Sequence, residues 1–226
     1  IHSFSFHNYV TLFTTPELID MIIGSIALAI GSAVLATILG TTGAIGAFYS
    51  KKNVNGTMSV LNQIPVVNAD VVTGFSLCIL LVVVFGVSKN TYIPLVIGHT
   101  VLSAPFVYLA VVPKLKQMDP SLYEAALDLG ATPGYTLIHI IIPQIASGII
   151  SGFVMAVTLS LDDYFVATYT KPATFDTIST YVVNATKGSQ TNIRTALWAL
   201  STIIFLIVVI VEVVMNFAPI KNEAQK

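Results

Sequence analysis

The chain alternates between long apolar runs and short polar segments. A bilayer core of about 30 Å needs roughly 20 apolar residues in a helix, and five runs reach that length. The predicted spans are residues 21–49, 64–87, 93–112, 140–161 and 193–217. The second run qualifies although it contains Asn68 and Asp70. The pattern therefore predicts an all-α protein, a polytopic bundle of transmembrane helices.

Polar segments separate the predicted spans. They are a basic turn at Lys51 and Lys52, a link at 88–92, a long segment at 113–139 and a polar loop at 170–192. We expect three parts in the chain: an external N-terminal segment at 1–20, a membrane domain at 21–217 and a cytoplasmic tail at 218–226.

Basic residues favour one orientation. One side of the predicted spans carries Lys51, Lys52, Lys114, Lys116, Lys221 and Lys226, and the other carries Lys89, Lys171, Lys187 and Arg194. Because cytoplasmic loops are enriched in lysine and arginine, the first side is predicted to be cytoplasmic. The segment 113–139 and the C-terminus are then inside and the N-terminus outside. An external start with five spans is an unusual topology, so we expect a sixth span upstream in the full-length chain.

Composition agrees with a membrane protein and excludes other classes. Of 226 residues 55% are hydrophobic and 9% are charged, with a mean hydropathy of +0.85, whereas soluble domains carry roughly 25% charged residues. The net charge of −1 offers no basic surface for nucleic acid. The lone Cys78 can form neither an intrachain disulfide nor a thiolate metal cluster, and we predict that it is a small buried hydrophobe.

Small residues recur every four positions in the first predicted span. They are Ser32, Ala36, Gly40 and Ala44. Such a stripe allows another helix to approach closely. Packing inside the chain is the favoured interpretation, and a contact with another subunit is the alternative.

The segment 119–143 has the signals of two capped helices. Asp119 followed by Pro120 is a helix start, because the carboxylate can accept an unpaired backbone N–H and proline is tolerated at the first helical position. Gly130 is a suitable residue just past the end of this helix. Thr132 and Pro133 repeat the start signal, which predicts a second helix running towards the membrane.

An apolar stripe is predicted on the first of these helices. It consists of Leu122, Ala125, Ala126 and Leu129, at spacings of three and four. Glu124 and Asp128 lie beside it. The stripe must be buried against something, either the protein's own cytoplasmic surface or a groove of a separate soluble subunit.

The same segment resembles the EAA signature of permease subunits of ABC importers. That signature reads E-A-A, three residues, G, nine residues, I, one residue, L-P. Here it is matched by Glu124-Ala125-Ala126, Gly130, Ile140 and Ile142-Pro143. Isoleucine in place of leucine at position 142 is the one departure, and it conserves volume.

The resemblance implies a type I ABC importer transmembrane-domain fold and a set of partners. It implies that this segment is a coupling helix seated in a cleft of an ATPase subunit. The residues so assigned are Tyr123, Glu124, Ala125, Ala126, Asp128, Leu129 and Gly130. It also implies a second, similar permease subunit, two ATPase subunits that bind ATP and magnesium, and an extracytoplasmic binding protein. The chain itself is expected to bind no cofactor.

Four further stretches are similar to spermidine/putrescine permeases, specifically to the second of their two permease subunits. They are Phe6-His7-Asn8-Tyr9, Asp70-Val71-Val72, Ser160-Leu161-Asp162-Asp163 and the run at 197–201. The resemblance covers essentially the whole chain but lacks that family's first transmembrane helix. Related permeases for iron(III), sulfate, thiamine and phosphonates share the fold, so another solute is the alternative cargo.

Three carboxylates in or against apolar runs favour a cationic cargo. Asp70, Asp162 and Asp163 stand where no lysine or arginine is present to pair with them. An acidic group in a membrane span usually faces a water-filled cavity or a partner. Polyamines carry separated ammonium groups on an apolar chain, and Tyr164 and Tyr169 can supply aromatic walls with cation–π potential. These five residues are the predicted cargo path.

Structural roles are the alternative for these residues. Counted along a straight helix at about 1.5 Å per residue, Asp162 lies roughly 28 Å beyond Pro143, near the outer boundary, where carboxylates are ordinary. Adjacent residues point about 100° apart on a helix, so Asp162 and Asp163 are not expected to face one cavity together. Asp70 could instead cap the inner end of its span, or bind Asn68 or a neighbouring helix. His99 is expected to be a hydrogen-bonded core histidine.

Catalytic motifs are absent from the sequence. There is no G-x-x-x-x-G-K-[ST] loop for ATP, no H-E-x-x-H and no G-x-S-x-G. The chain is therefore predicted to be a non-catalytic conduit driven by a partner. The rival functions are an ion-coupled secondary transporter, with Asp70 or Asp162 as a proton relay, and a membrane anchor for a soluble partner.

Overall fold

The computed structural model describes residues 14–119, 121–187, 200–203, 205–206, 209–210 and 213. These residues form helices joined by short turns, and no β-strand occurs among them. The predicted all-α class is therefore confirmed.

Ten α-helices are defined within the described ranges. They are α1 (Pro16–Phe48), α2 (Lys52–Val67), α3 (Asp70–Ile79), α4 (Ile93–Gln117), α5 (Ser121–Asp128), α6 (Pro133–Thr136), α7 (Ile142–Gln144), α8 (Ala146–Asp162), α9 (Phe165–Thr170) and α10 (Ile178–Lys187). Two π-helical turns, Leu80–Val84 and Leu137–Ile141, extend α3 and link α6 to α7. The described residues from 200 to 213 are also helical.

Two of these helices are long and apolar enough to cross a membrane unbroken, at Leu18–Phe48 and Ile93–Gln117. Two more spans arise if each of two broken pairs is counted as one: Asn55–Val67 with Asp70–Val84, and Pro133–Gln144 with Ala146–Asp162. These four correspond to the first four predicted spans. The fifth, at 193–217, lies mostly outside the described residues.

The second and fourth predicted spans are broken helices rather than single continuous ones. In the second, Asn68 is extended (φ −75°, ψ 144°), three residues after Pro65. In the fourth, Ile145 leaves the helical region (φ −96°, ψ 6°) after Pro143, and the pair bends by 72°. Proline removes one helical hydrogen bond and crowds the preceding turn. The straight-helix distance from Pro143 to Asp162 is therefore wrong.

The predicted loop at 170–192 contains a helix. Helix α10 occupies Ile178–Lys187, and its apolar residues recur with helical spacing. Ile178 is buried, and Tyr181, Val182 and Ala185 pack with Leu18 and neighbouring residues. The serine and threonine residues of this segment suggested a loop, although its apolar residues have the spacing of an amphipathic helix.

Two compact units divide the described residues. Those within 31 and below, 70–99 and 158 onwards form the first unit, and those within 32–69 and 100–157 form the second. The second unit has a core built from the later part of α1, the C-terminal part of α4 and residues from Ile141 to Ala156. At Gly40 a Cβ atom would lie 2.7 Å from the Ala104 carbonyl oxygen, so α1 and α4 touch backbone to backbone there. Ser32, Ala36 and Ala44 are each buried. The predicted small-residue stripe is therefore used for internal packing.

The first unit holds α3, the start of α4, the end of α8, α9 and α10. A Cβ at Gly74 of α3 would lie 2.9 Å from the Val166 Cα of α9, so these two helices are in close contact. The buried Ser25 hydroxyl accepts a hydrogen bond from the Ile178 N–H at 2.9 Å, at the start of α10. This unit positions all the predicted cargo-path residues.

Candidate functional site

Helix α5 begins at the predicted cap. The Asp119 Oδ1 atom accepts hydrogen bonds from the Ser121 hydroxyl at 2.7 Å and from the Ser121 N–H at 2.9 Å. These two bonds hold the pKa of the Asp119 carboxyl below its ordinary value, and the bond from the hydroxyl has the larger effect. The predicted cap is confirmed, and Pro120 lies outside the described residues.

Gly130 ends α5 in the predicted manner. Its φ is +86°, in the left-handed region that side chains disfavour. The Gly130 N–H donates to the Leu127 carbonyl at 2.9 Å and the Ala131 N–H donates to the Ala126 carbonyl at 3.0 Å. This pair of bonds is a Schellman motif. Two residues later Thr132 caps α6, its hydroxyl accepting the Tyr135 N–H at 3.4 Å.

The predicted stripe of α5 is split between two environments. Ala126 is 6% exposed, and Leu122 packs against the core of the second unit. Ala125 is exposed and Leu129 is 89% exposed. Half of the stripe therefore packs within the chain, and the other half is exposed.

The exposed face of α5 mixes charged and apolar side chains. Glu124, Ala125, Asp128 and Leu129 are all exposed. Tyr123, which was grouped with them, is half-buried, and its ring lies 4.9 Å from that of Tyr49. We refer to Glu124, Ala125, Asp128 and Leu129 as the coupling face, after the role that the sequence resemblance predicts, and Tyr123 packs on the inner side of α5.

Asp163 is turned into the protein and caps α9. It is 8% exposed, and its Oδ1 and Oδ2 atoms accept the N–H groups of Val166 at 3.2 Å and Ala167 at 2.7 Å. These are N–H groups that a helix start leaves without a helical acceptor. Neither bond was foreseen, although an Asp a few residues before an apolar run is a common N-terminal signal.

His99 lies behind Asp163. It is fully buried, and its Nδ1 atom is 2.8 Å from the Ser160 hydroxyl, as expected for a hydrogen-bonded core histidine. Its Nε2 atom is 3.7 Å from Asp163 Oδ2, which is too long for a hydrogen bond. Ser160 is 4% exposed, so this Ser-His-Asp arrangement has no access for a substrate and is structural.

Asp162 and Tyr164 line a common cavity. It has a volume of about 420 Å³, and Asp162, the last residue of α8, is exposed. Eight other residues contribute to the lining: Thr158, Leu161, Ile178, Ser179, Val182, Val183, Ser201 and Phe205. None of the eight was predicted as a path residue. Four of them, Ile178, Ser179, Val182 and Val183, lie on α10, which the sequence analysis assigned to a polar loop.

Asp70 and Tyr169 lie in the same unit but do not line this cavity. Asp70 is exposed at the first residue of α3, where a carboxylate complements the helix dipole. The Tyr169 ring packs edge-on against Phe75 with centroids 5.6 Å apart. The five predicted path residues therefore share one region but not one surface.

Solved structures define the class of protein. The fold matches a bacterial ABC transporter involved in the import of the acidic polysaccharide alginate, with a TM-score of 0.71, 18% identity and coverage of 95% of this chain and 84% of that one. A bacterial alginate ABC transporter in complex with an alginate pentasaccharide-bound periplasmic protein matches with a TM-score of 0.70, 19% identity and coverage of 92% of this chain and 81% of that one. The chain has the transmembrane-domain fold of ABC importers.

The sequence places the chain within that class. Residues 40–218 match the model of the binding-protein-dependent transport system inner membrane component. The chain belongs to this family, and it is a membrane-embedded permease subunit of an ABC importer rather than an enzyme.

Two relatives show how close the sequence similarity is. The spermidine/putrescine transport system permease protein PotC of Haemophilus influenzae is 30% identical over 223 residues, which is 97% of this chain and 83% of that one. The putrescine transport system permease protein PotI of Escherichia coli is 34% identical over 151 residues, which is 64% of this chain and 53% of that one.

Proposed function

We propose that this permease subunit imports polyamines, spermidine and/or putrescine, and forms half of the translocation path. The observation that carries the proposal is that both relatives described above are named for polyamine transport. An exposed Asp162 in an aromatic-walled cavity supports it, because ammonium groups pair with carboxylates and aromatic faces. An anionic cargo such as sulfate would meet like charge there.

The coupling face of α5 is the proposed seat of an ATPase subunit. Its exposed Leu129 beside Glu124 and Asp128 suits a helix laid into a groove, with an apolar anchor and a charged rim. Two ATPase subunits would bind ATP and magnesium. One of them would dock on this chain and the other on a second, similar permease subunit. A periplasmic or lipid-anchored protein would deliver the polyamine to the outer side. This chain would bind no cofactor.

Movement of α5 would reach the membrane helices through fixed contacts. Helix α5 packs against α6 and the π-helical turn 137–141, and its Schellman end restricts the link between them. When the two ATPase subunits close on ATP, they would draw α5 with them. This movement would switch the translocation path from inward-facing to outward-facing. Asp119 and Thr132 keep both helix starts intact during that movement by capping them.

The proposed orientation places α5 and the C-terminus in the cytoplasm of a bacterial cell, with the chain in its inner membrane. The basic residues on that side, including Lys114 and Lys116 at the end of α4, support it. With Cys78 replaced by serine, Ser121→Cys in membrane vesicles should react with a membrane-impermeant thiol reagent from the cytoplasmic side. Reaction only from the opposite side would contradict the proposed orientation.

The experiment that tests the cargo and the energy source is uptake by the complete transporter in proteoliposomes. Labelled spermidine should enter when ATP is supplied on the ATPase side, and unlabelled putrescine should compete, whereas sulfate and iron(III) should not. Uptake driven by a proton gradient without ATP would support a secondary transporter instead. Competition by sulfate or iron(III), but not putrescine, would assign another cargo.

A further inference from the structure

Asp162 and Asp163 are adjacent in sequence, but their carboxylates have different surroundings. Both Asp163 oxygens accept backbone N–H groups of α9, from Val166 and Ala167. His99 Nε2 is 3.7 Å from the same carboxylate. Asp163 is therefore occupied by donors of its own chain, and removing it would leave two buried N–H groups without an acceptor.

Asp162 faces the cavity instead. Helix α8 ends at this residue, and its side chain is exposed and lines the cavity. A volume of about 420 Å³ lies within the range of small-molecule sites, which are mostly apolar with few polar groups. The apolar part of the lining consists of Leu161, Tyr164, Ile178, Val182, Val183 and Phe205.

That lining matches the chemistry of a linear diamine. One carboxylate can accept charge-assisted hydrogen bonds from a primary ammonium group. The aliphatic side chains of Ile178 and Val182 can cover the adjoining methylene groups, and the Tyr164 ring offers a π face to the cation. The Ser179 hydroxyl donates to the Leu161 carbonyl at 2.7 Å, which holds α10 against the end of α8.

We propose that Asp162, and not Asp163, binds one terminal ammonium group of the polyamine in this cavity, with the methylene chain against Tyr164 and α10. Asp163 is a positioning residue that caps the start of α9. By fixing the break between α8 and α9, it holds Asp162 at the cavity. The assignment rests on the proposed polyamine function, but its test separates the two.

The test is equilibrium binding of labelled spermidine to the purified permease–ATPase complex without the delivering protein. If the delivering protein were present, the half-saturating spermidine concentration would reflect its affinity rather than that of the permease. Asp162→Asn should weaken spermidine binding about tenfold, because the ion pair is lost while the shape is kept. Asp162→Glu should restore affinity to within about threefold of wild type. Asp20→Asn, an exposed carboxylate of α1, is the matched control and should change nothing.

Asp163→Asn should behave differently in the same complex. Each folded molecule should bind spermidine within about twofold of wild type, whereas the unfolding temperature should fall, because one carboxylate acceptor of α9 becomes an amide. Equal spermidine affinity in wild type and Asp162→Asn would overturn the assignment, as would a tenfold loss in Asp163→Asn with unchanged unfolding. A wild-type complex that transports spermidine but does not bind it without the delivering protein would overturn this site and leave the cargo proposal standing.

Discussion

Two parts of the molecule differ in how their structure is built. One is the coupling segment, residues 119–132, and the other is the aspartate region, which contains Asp70, Asp162, Asp163 and the cavity beside Asp162. The segment from Asp119 to Thr132 is held by hydrogen bonds between residues at most five apart. The cavity beside Asp162 is lined by residues from 158 to 205, drawn from α8, the turn after it, α10 and a later helix. Local chemistry therefore specifies the first region, and tertiary packing specifies the second.

The two regions also present their polar groups differently. On the coupling segment Glu124 and Asp128 are exposed beside an exposed Leu129, which suits a macromolecular partner. In the aspartate region one carboxylate is buried on backbone donors and its neighbour faces a cavity, which suits a small cation. The contrast supports the proposal that one region transfers energy and the other recognises the cargo.

Removing the buried cap is the most severe way to test this contrast. Asp163→Ala should strip acceptors from the Val166 and Ala167 N–H groups, both in fully buried residues. Each unsatisfied buried group costs about 1–3 kcal/mol, so the loss is about 2–6 kcal/mol. Thermal unfolding of the purified complex should show a large fall, with Asp162→Ala as the neighbouring control. Similar unfolding temperatures for the two variants would contradict the buried role of Asp163.

Two neighbouring alanines of α5 test which face meets the partner. Ala126→Leu should overpack the core of the second unit, at a cost of about 1–3 kcal/mol, and should lower the unfolding temperature. Ala125→Leu, on the exposed face, should leave that temperature unchanged and instead alter ATPase binding, measured by co-purification. The reverse pattern would show that the coupling face is assigned to the wrong side of the helix.

Gly130→Val tests the link from α5 to the rest of the coupling segment. A Cβ at Gly130 meets nothing within 4 Å, so the strain comes from φ, at about 1–2 kcal/mol or more for a β-branched residue. Spermidine uptake should fall about tenfold, an effect equivalent to about 1.4 kcal/mol, while membrane insertion is retained.

Two substitutions control for Gly130→Val. Gly130→Asn should retain most uptake because asparagine tolerates the left-handed region. Gly134→Ala, in helical backbone with equally open space, should have no effect. Normal uptake in Gly130→Val would refute the role of this end in coupling.

The smallest expected effect concerns the cap of α5. Hydrogen bonds from Ser121 lower the pKa of Asp119 in the folded state, so the cap is fully present above the ordinary carboxyl pKa and is lost as pH falls through the lowered value. Ser121→Ala removes the hydroxyl donor and should raise that pKa towards its ordinary value. The Asp119 carboxyl ¹³C resonance, assigned by its loss in Asp119→Asn, reports it. An unchanged titration in Ser121→Ala would show that the hydroxyl does not stabilise the carboxylate.

The sequence predicted the coupling segment well because its determinants are near one another. Asp119, Gly130 and Thr132 were identified from residue type and position, and each has the hydrogen bond or backbone angle expected. The direction of the stripe was not predictable at one-residue precision. Ala125 and Ala126 are identical side chains, and their burial depends on which side of α5 meets the core.

The aspartate region was predicted in part for the opposite reason. The unusual placement of three carboxylates in apolar sequence is visible residue by residue, but their surroundings are not. The capping role of Asp163 depends on a helix break at residues 163–164, and the cavity depends on α10, whose serine- and threonine-rich sequence suggested a loop. Proline at 65 and 143 is consistent with a bend in each broken span, but residue type alone does not give the extent of the break.

The most direct measurement compares Gly130→Val and Asp162→Asn in the complete reconstituted transporter, scoring spermidine bound and spermidine imported per ATP hydrolysed. We predict that Gly130→Val binds spermidine normally but imports far less per ATP. Asp162→Asn should bind weakly yet keep a near-normal import ratio at saturating spermidine. Identical defects in both quantities for the two variants would contradict the division between a coupling segment and a cargo site.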